Sequence, residues 1–139
     1  MKKIFLLFSF LYFNQIFSQS DSWRYIGATV KNEKYYTKTI ENNSFYTTCW
    51  VKAIAPSKSA TKGKSKGRSG YYTIEKWTIY CNNNTFSVSS SVSYNMNGTV
   101  REDNSMYTQP EQTPLPESIA EGVVNTMCIL NPYHKFNLP

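Results

Sequence analysis

The sequence predicts an α+β fold in which an antiparallel β-sheet of about five or six strands carries one C-terminal α-helix. Three observations support this prediction. Stretches rich in tyrosine, threonine and β-branched residues recur between positions 23 and 108, and such residues favour strands. Clusters of Asn and Gly separate the stretches and mark turns. A single apolar stripe with helical spacing follows near the C-terminus.

The predicted strands follow one another through turns at Asn42-Asn43-Ser44, at residues 82–84 and at Asn97-Gly98. Both faces of the long third strand, residues 45–54, carry apolar side chains, so the sequence leaves open which face is buried. The strands are predicted at 23–27, 33–39, 45–54, 71–81, 85–94 and 99–102, with 105–108 as a further short piece.

The fifth strand has the most regular pattern. Phe86, Val88, Val92 and Tyr94 alternate with serines, and alternation with a period of two predicts a half-buried strand. We therefore expect one apolar face along this strand and a serine stripe that faces solvent on the other.

The helix is predicted over about residues 117–129, after an extended segment stiffened by three prolines. Ser118 followed by Glu121 forms a capping-box pattern at its start, and Asn131-Pro132 ends it. One face of this helix should pack on the sheet. Its apolar stripe consists of Ile119, Ala120, Val123, Val124, Met127 and Cys128.

The first twenty residues have the pattern of a secretory signal peptide. Lys2 and Lys3 precede an apolar run at 4–13, and small residues follow at 18–20. The run is about half of the ~20 residues that span a bilayer, so a retained anchor is the weaker interpretation. The expected organisation is therefore a leader at 1–20, a single domain at 21–130 and a loose tail at 131–139.

The positive charge is local. The chain has 15 basic and 9 acidic residues, and removal of Lys2 and Lys3 would leave 13 basic residues, a net charge of +4. Residues 56–70 contain no large apolar side chain, so we expect a flexible loop there. This loop is the candidate contact for a polyanion or an acidic protein patch, through Lys58, Lys62, Lys64, Lys66 and Arg68. The alternative is a hairpin tip whose charges serve only solubility.

Three cysteines allow three disulfide pairings. Cys81 ends a predicted strand and Cys128 lies on the helical stripe, so a bond between them would tie the helix to the sheet. Cys49 lies on a neighbouring strand and could compete for Cys81. We place Cys49 as a buried free thiol.

The order of several short signals resembles the surface-adhesin protein E family of small exported bacterial domains. The resemblance covers residues 23–128 and implies an antiparallel sheet, a C-terminal helix packed across it, a Cys81–Cys128 disulfide and adhesion to host extracellular-matrix proteins. The basic segment 56–70 and the extra Cys49 depart from the family. The signals are Trp23, Tyr35-Tyr36, Ile40, Trp50, Cys81, Tyr94-x-x-x-Gly98, Pro116-Glu117-Ser118 and Cys128.

Catalytic patterns are lacking in the sequence. His134 is the one histidine, Glu102 and Asp103 are adjacent and cannot flank a substrate as a glycosidase pair does, and no metal-ligand spacing occurs. We therefore expect neither an enzyme nor a cofactor.

The expected function is that of an exported binding module in the periplasm or on the outer cell surface of a bacterium. A protein or an acidic glycan is the expected partner, and nucleic acid is not. An exposed sheet edge would allow a homodimer. The alternative is a periplasmic inhibitor or accessory subunit of an envelope enzyme.

Overall fold

The computed structural model describes residues 22–56, 70–106 and 108–134. It contains one antiparallel sheet whose six strands lie in chain order and one helix near the C-terminus, which confirms the predicted fold class. The elements are β1 (Arg24–Ala28), β2 (Lys34–Asn42), β3 (Thr47–Ala55), β4 (Tyr71–Tyr80), β5 (Thr85–Asn95), β6 (Val100–Asn104) and α1 (Ile119–Leu130).

The turns use the predicted Asn and Gly residues. The Asn43 side chain accepts hydrogen bonds from the backbone N–H groups of Phe45 and Tyr46, both at 2.9 Å. Gly98 has a φ of 85°, a conformation that glycine adopts without a steric penalty. Strand β6 ends at Asn104, and residues 105, 106 and 108 lie outside any strand, so the predicted piece at 105–108 is wrong.

The proline-containing segment runs along the free edge of β5. The Gln109 N–H donates to the Val88 carbonyl at 2.7 Å, and Phe86 and Gln112 exchange two backbone hydrogen bonds. These bonds cover the part of β5 that does not pair with β6. The segment then reaches the start of α1.

Helix α1 has the predicted cap. The Ser118 side chain accepts a hydrogen bond from the Glu121 N–H at 3.2 Å, and the Glu121 carboxylate accepts one from the Glu117 N–H at 2.7 Å. At the other end, Asn131 is buried and its side chain donates to the Asn43 carbonyl at 2.9 Å and to Thr47 Oγ1 at 3.0 Å. Both ends of the helix are therefore fixed.

The core lies between α1 and one face of the sheet. Rings of Trp77 and Phe86 stack at 4.4 Å between centroids, and the buried face of β3 is the one with Cys49 and Val51. The core consists of Cys49, Val51, Trp77, Ile79, Cys81, Phe86, Val88, Val123, Val124, Met127 and Cys128.

A disulfide joins Cys81 to Cys128, with their Cα atoms 5.5 Å apart. Cys49 is a free, buried thiol. Both predictions are confirmed. Among the described residues, no helix has the length and apolar character to cross a membrane.

A β-bulge divides β5 into two halves. Trp77 pairs with Val88, but Lys76 pairs with Ser90, so Ser89 is an extra residue that reverses the alternation beyond it. Phe86 and Val88 face the helix, while Val92 pairs with Ile74 on the opposite face. The prediction of a single apolar face along this strand is therefore wrong.

The prediction that the serines form one stripe on a single face is wrong for the same reason, because the stripe changes face at the bulge. Ser91 and Ser93 lie on the helix side of the sheet, beyond the area that α1 covers. There Ser91 bonds to the Glu75 carboxylate at 3.3 Å, and the Ser93 and Thr73 hydroxyls are 2.9 Å apart.

Candidate functional site

The face of the sheet opposite α1 carries aromatic and lysine side chains. Directly paired residues of an antiparallel sheet project to the same face, so the strand register places these side chains in three rows. We call this surface the aromatic face, and all of its residues are half-buried. The rows are Lys38, Trp50, Lys76 and Ser90; Tyr36, Lys52, Ile74 and Val92; and Ile54, Tyr72 and Tyr94.

Cations alternate with rings and aliphatic groups in this arrangement. In the first row Trp50 stands between Lys38 and Lys76, and in the second Lys52 stands between Tyr36 and Ile74. Each of these lysines thus has at least one apolar neighbour on an adjacent strand. Long lysine stems can pack on such surface while the ammonium group stays in water.

Lys52 is held by two aromatic rings. Its Nζ lies 4.7 Å from the centroid of the Tyr72 ring and 5.6 Å from that of Trp23, both within cation–π range. Tyr72 stacks in turn on Tyr94, with centroids 5.1 Å apart. The rings orient the ammonium group but leave its charge and its N–H donors available to a ligand.

A groove of about 350 Å³ crosses the aromatic face, a size in the lower range of ligand pockets. Trp23, which precedes β1, contributes to its lining although it belongs to no row. No carboxylate is found among the described lining residues, which are Trp23, Lys38, Trp50, Ile74, Ser90, Val92 and Tyr94.

The carboxylates near this face lie at its margins. Asp103 pairs with Val92 on the edge strand β6, and Glu41 pairs with Thr48 near the end of β3. Hydrogen bonds from the side chain and backbone of Ser105 lower the pKa of Asp103. Within the three rows every charged side chain is a lysine, so the centre of the face is positive.

The uncovered part of the helix side has a different character. Glu75 accepts hydrogen bonds from Trp77 Nε1 at 2.8 Å and from Ser91, and the Tyr35 hydroxyl is 3.5 Å from the Glu33 carboxylate. Burial, and then the charge of Glu33, raise the pKa of Tyr35. The carboxylates on this side are engaged by neighbouring side chains.

The predicted site residues fall into two groups. Cys81 and Cys128 form the disulfide. Lys58, Lys62, Lys64, Lys66 and Arg68, the candidate polyanion contacts, lie outside the described residues. Among the residues that are described, no group of three or more His, Cys, Asp or Glu side chains could hold a metal ion.

The sequence interpretation missed the aromatic face because it treated β5 as one regular strand. Ser90 was the available signal, since it is a polar residue at a position where strict alternation requires an apolar one. A break of this kind is expected at a bulge. Comparison of the chain with models of protein families, with curated proteins and with solved structures found no match.

Proposed function

We propose that the chain is a non-enzymatic exported binding module and that it contacts its partner through the aromatic face. The observation that carries this proposal is the set of half-buried rings and lysines that α1 leaves uncovered. The resemblance to the surface-adhesin protein E family supports a role as a surface adhesin for host matrix proteins or polyanions.

The composition of the aromatic face suits recognition. Trp and Tyr side chains provide large contact areas and are enriched among the residues that dominate binding energies. Trp50, Tyr72 and Tyr94 supply such rings on three adjacent strands. Positive charge in the same area speeds the approach of acidic partners and favours them over basic ones.

The rigidity of this surface also supports the proposal. The rings are carried by paired strands, and the opposite face of the sheet packs on a helix that is fixed by a disulfide. Such a scaffold holds the contact residues in place before binding, which lowers the entropic cost of association. A disulfide also suits an oxidising compartment outside the cytoplasm.

The basic segment is a second contribution to the proposed contact. It joins β3 to β4, the two strands that carry Ile54 and Tyr72 near the ends to which it is attached. We propose that its five cations, Lys58, Lys62, Lys64, Lys66 and Arg68, contribute positive charge to the same contact.

Solid-phase binding to matrix proteins and to heparin tests this proposal. Trp50→Ala should reduce retention at least several-fold, whereas Phe45→Ala should not. Phe45 is a suitable control because it is an exposed aromatic in the β2–β3 turn, away from the three rows. A variant with serine at all five loop cations measures the contribution of the segment. Equal retention of Trp50→Ala and wild type would reject the aromatic face as the contact.

A periplasmic inhibitor or accessory subunit is the second candidate, favoured by the breadth of the aromatic face, which extends over β2, β3, β4 and β5. A surface of this kind also suits a protein interface. Pull-down from a bacterial envelope extract separates the two candidates. One stoichiometric envelope protein, lost with Trp50→Ala, would replace the adhesin proposal by this one.

A further inference from the structure

Resting on the proposed function, we propose that the aromatic face binds an unsulfated glycosaminoglycan, an acidic host glycan in which a charged uronate alternates with an uncharged N-acetylhexosamine. The short oligosaccharide would lie in the groove, across β2, β3, β4 and β5. The proposal assigns polyanion recognition to an ordered surface of the sheet, in addition to the basic segment between β3 and β4.

The rings and aliphatic side chains account for the sugar part of the ligand. A pyranose ring has one face of C–H groups, which carry a slight positive charge, and hydroxyl groups around its edge. Aromatic rings have a negative face, so the C–H face of a sugar stacks well on Trp50 or Tyr94. Ile74 and Val92 form an apolar floor between these rings, and Ser90 offers a hydroxyl to the sugar edge.

The lysines account for the acidic part. Lys52 is oriented by Tyr72 and Trp23, and Lys76 lies beside Trp50 in the first row. A carboxylate that approaches either ammonium group gains a charge-assisted hydrogen bond. The groove lining contains no carboxylate among the described residues, so no acidic side chain within it competes with the ligand.

The alternation of the rows distinguishes the ligand from other polyanions. Cations and apolar groups follow one another across the first two rows and along β3 and β4. A glycan with charge on every second sugar matches this spacing, because each uncharged sugar can stack while its neighbours meet lysines. A polyuronate or single-stranded DNA carries a charge on every unit and would place charged groups over the apolar floor.

The groove is long enough for several sugars. It extends from Lys38 on β2 to Tyr94 on β5, and neighbouring strands are ~4.8 Å apart, so it crosses three strand intervals or about 14 Å. A single sugar would leave much of it unfilled. A short oligosaccharide is therefore the appropriate probe.

The experiment is a titration of the purified protein with hyaluronan octasaccharide. Binding is measured by isothermal calorimetry and, independently, by tryptophan fluorescence. We expect Kd to rise about tenfold or more in Trp50→Ala and in Lys52→Gln, a typical effect for a central contact. Lys31→Gln is the matched charge control, because Lys31 is exposed in the β1–β2 turn. Thermal melting verifies folding, and Lys52→Gln serves as the decisive variant if Trp50→Ala is unfolded.

Parallel probes identify the ligand class. Chitin octasaccharide, which is neutral, should bind at least tenfold more weakly than hyaluronan. If polymannuronate binds more tightly than hyaluronan, the ligand is a bacterial glycan and not a host glycan, and the proposal is overturned. Tighter binding of an eight-nucleotide DNA than of hyaluronan would also overturn it. Equal Kd values for Lys31→Gln and Lys52→Gln would reject the aromatic face as the glycan site.

The outcomes also separate this inference from the proposed function. If hyaluronan does not bind while retention on matrix proteins still depends on Trp50, the ligand class is wrong and the contact surface stands. If neither measurement depends on Trp50, both proposals fail.

Discussion

The side-chain amide of Asn131 donates a hydrogen bond to Thr47 Oγ1 at 3.0 Å, although the two residues are 84 positions apart. The same amide donates to the Asn43 carbonyl at 2.9 Å. Asn131 follows directly after α1, whereas Asn43 and Thr47 lie at the β2–β3 turn. These two hydrogen bonds thus fix the end of the helix to one end of the sheet.

Asn131→Ala should lower the free energy of unfolding by about 2 kcal/mol, because it leaves a buried hydroxyl and a backbone carbonyl without their donor. Urea denaturation measures this loss. Asn104→Ala is the control, since its amide bonds to the Glu102 carboxylate at an exposed site, and it should change stability by less than ~0.5 kcal/mol. Equal effects of the two substitutions would contradict a structural role for Asn131.

Replacement of both Cys81 and Cys128 by alanine should cost about 4 kcal/mol in the chain-entropy model, because the bond closes a loop with a sequence separation of 47. Denaturation of the double variant and the wild type gives the difference. Peptide mapping without reduction should show alkylation of Cys49 alone once the protein is unfolded. Alkylation of Cys81 or Cys128 under those conditions would disprove the bond.

Cys49 should resist alkylation in the native protein. It is completely buried, and burial raises the pKa of its thiol to about 12, so little of the reactive thiolate forms near neutral pH. Modification should therefore require unfolding of the chain, which exposes the thiol. Rapid labelling of the folded protein at pH 8 would contradict this placement.

The same thiol predicts an alkaline loss of stability. Its folded pKa lies above the unfolded value of 9.0, so its contribution to stability is full below pH 9 and declines as the pH rises towards 12. Stability measured between pH 9 and pH 12 should fall more steeply for the wild type than for Cys49→Ala. Parallel curves would show that the thiol titrates alike in both states.

Val88→Ala and Val92→Ala should have different effects on folding. Val88 is buried against the helix, and its truncation should cost about 2 kcal/mol. Val92 is half-buried on the aromatic face, so its truncation should cost less than ~1 kcal/mol. Chemical denaturation compares them, and equal losses would indicate that the strand continues without a bulge.

The sequence predicted the order of the elements because each strand and the helix carry local signals. Phe86 and Val88 show the strand period, and Ser118 with Glu121 marks the helix start. The faces were harder to predict. The extra residue Ser89 reverses which face of the sheet the following side chains of β5 occupy. This bulge depends on how β5 pairs with Lys76 and Trp77 of β4, which is a tertiary property.

The candidate site was less predictable for a related reason. Lys38, Trp50, Lys76 and Ser90 lie on four different strands, and only the register brings them into one row. The sequence directed attention instead to the five cations that lie close together in one segment, between Lys58 and Arg68. Contiguous patterns are visible in a sequence, whereas a surface assembled from single residues of several strands is not.

The bulge at Ser89 has a consequence for how this protein can diversify. The apolar residues before it, Phe86 and Val88, pack in the core, whereas those after it, Val92 and Tyr94, lie on the aromatic face, so the two halves of one strand meet separate structural requirements. Substitutions at positions 92 and 94 would change the aromatic face without a repacked interior. The surface of this strand can therefore vary while its contribution to folding is retained.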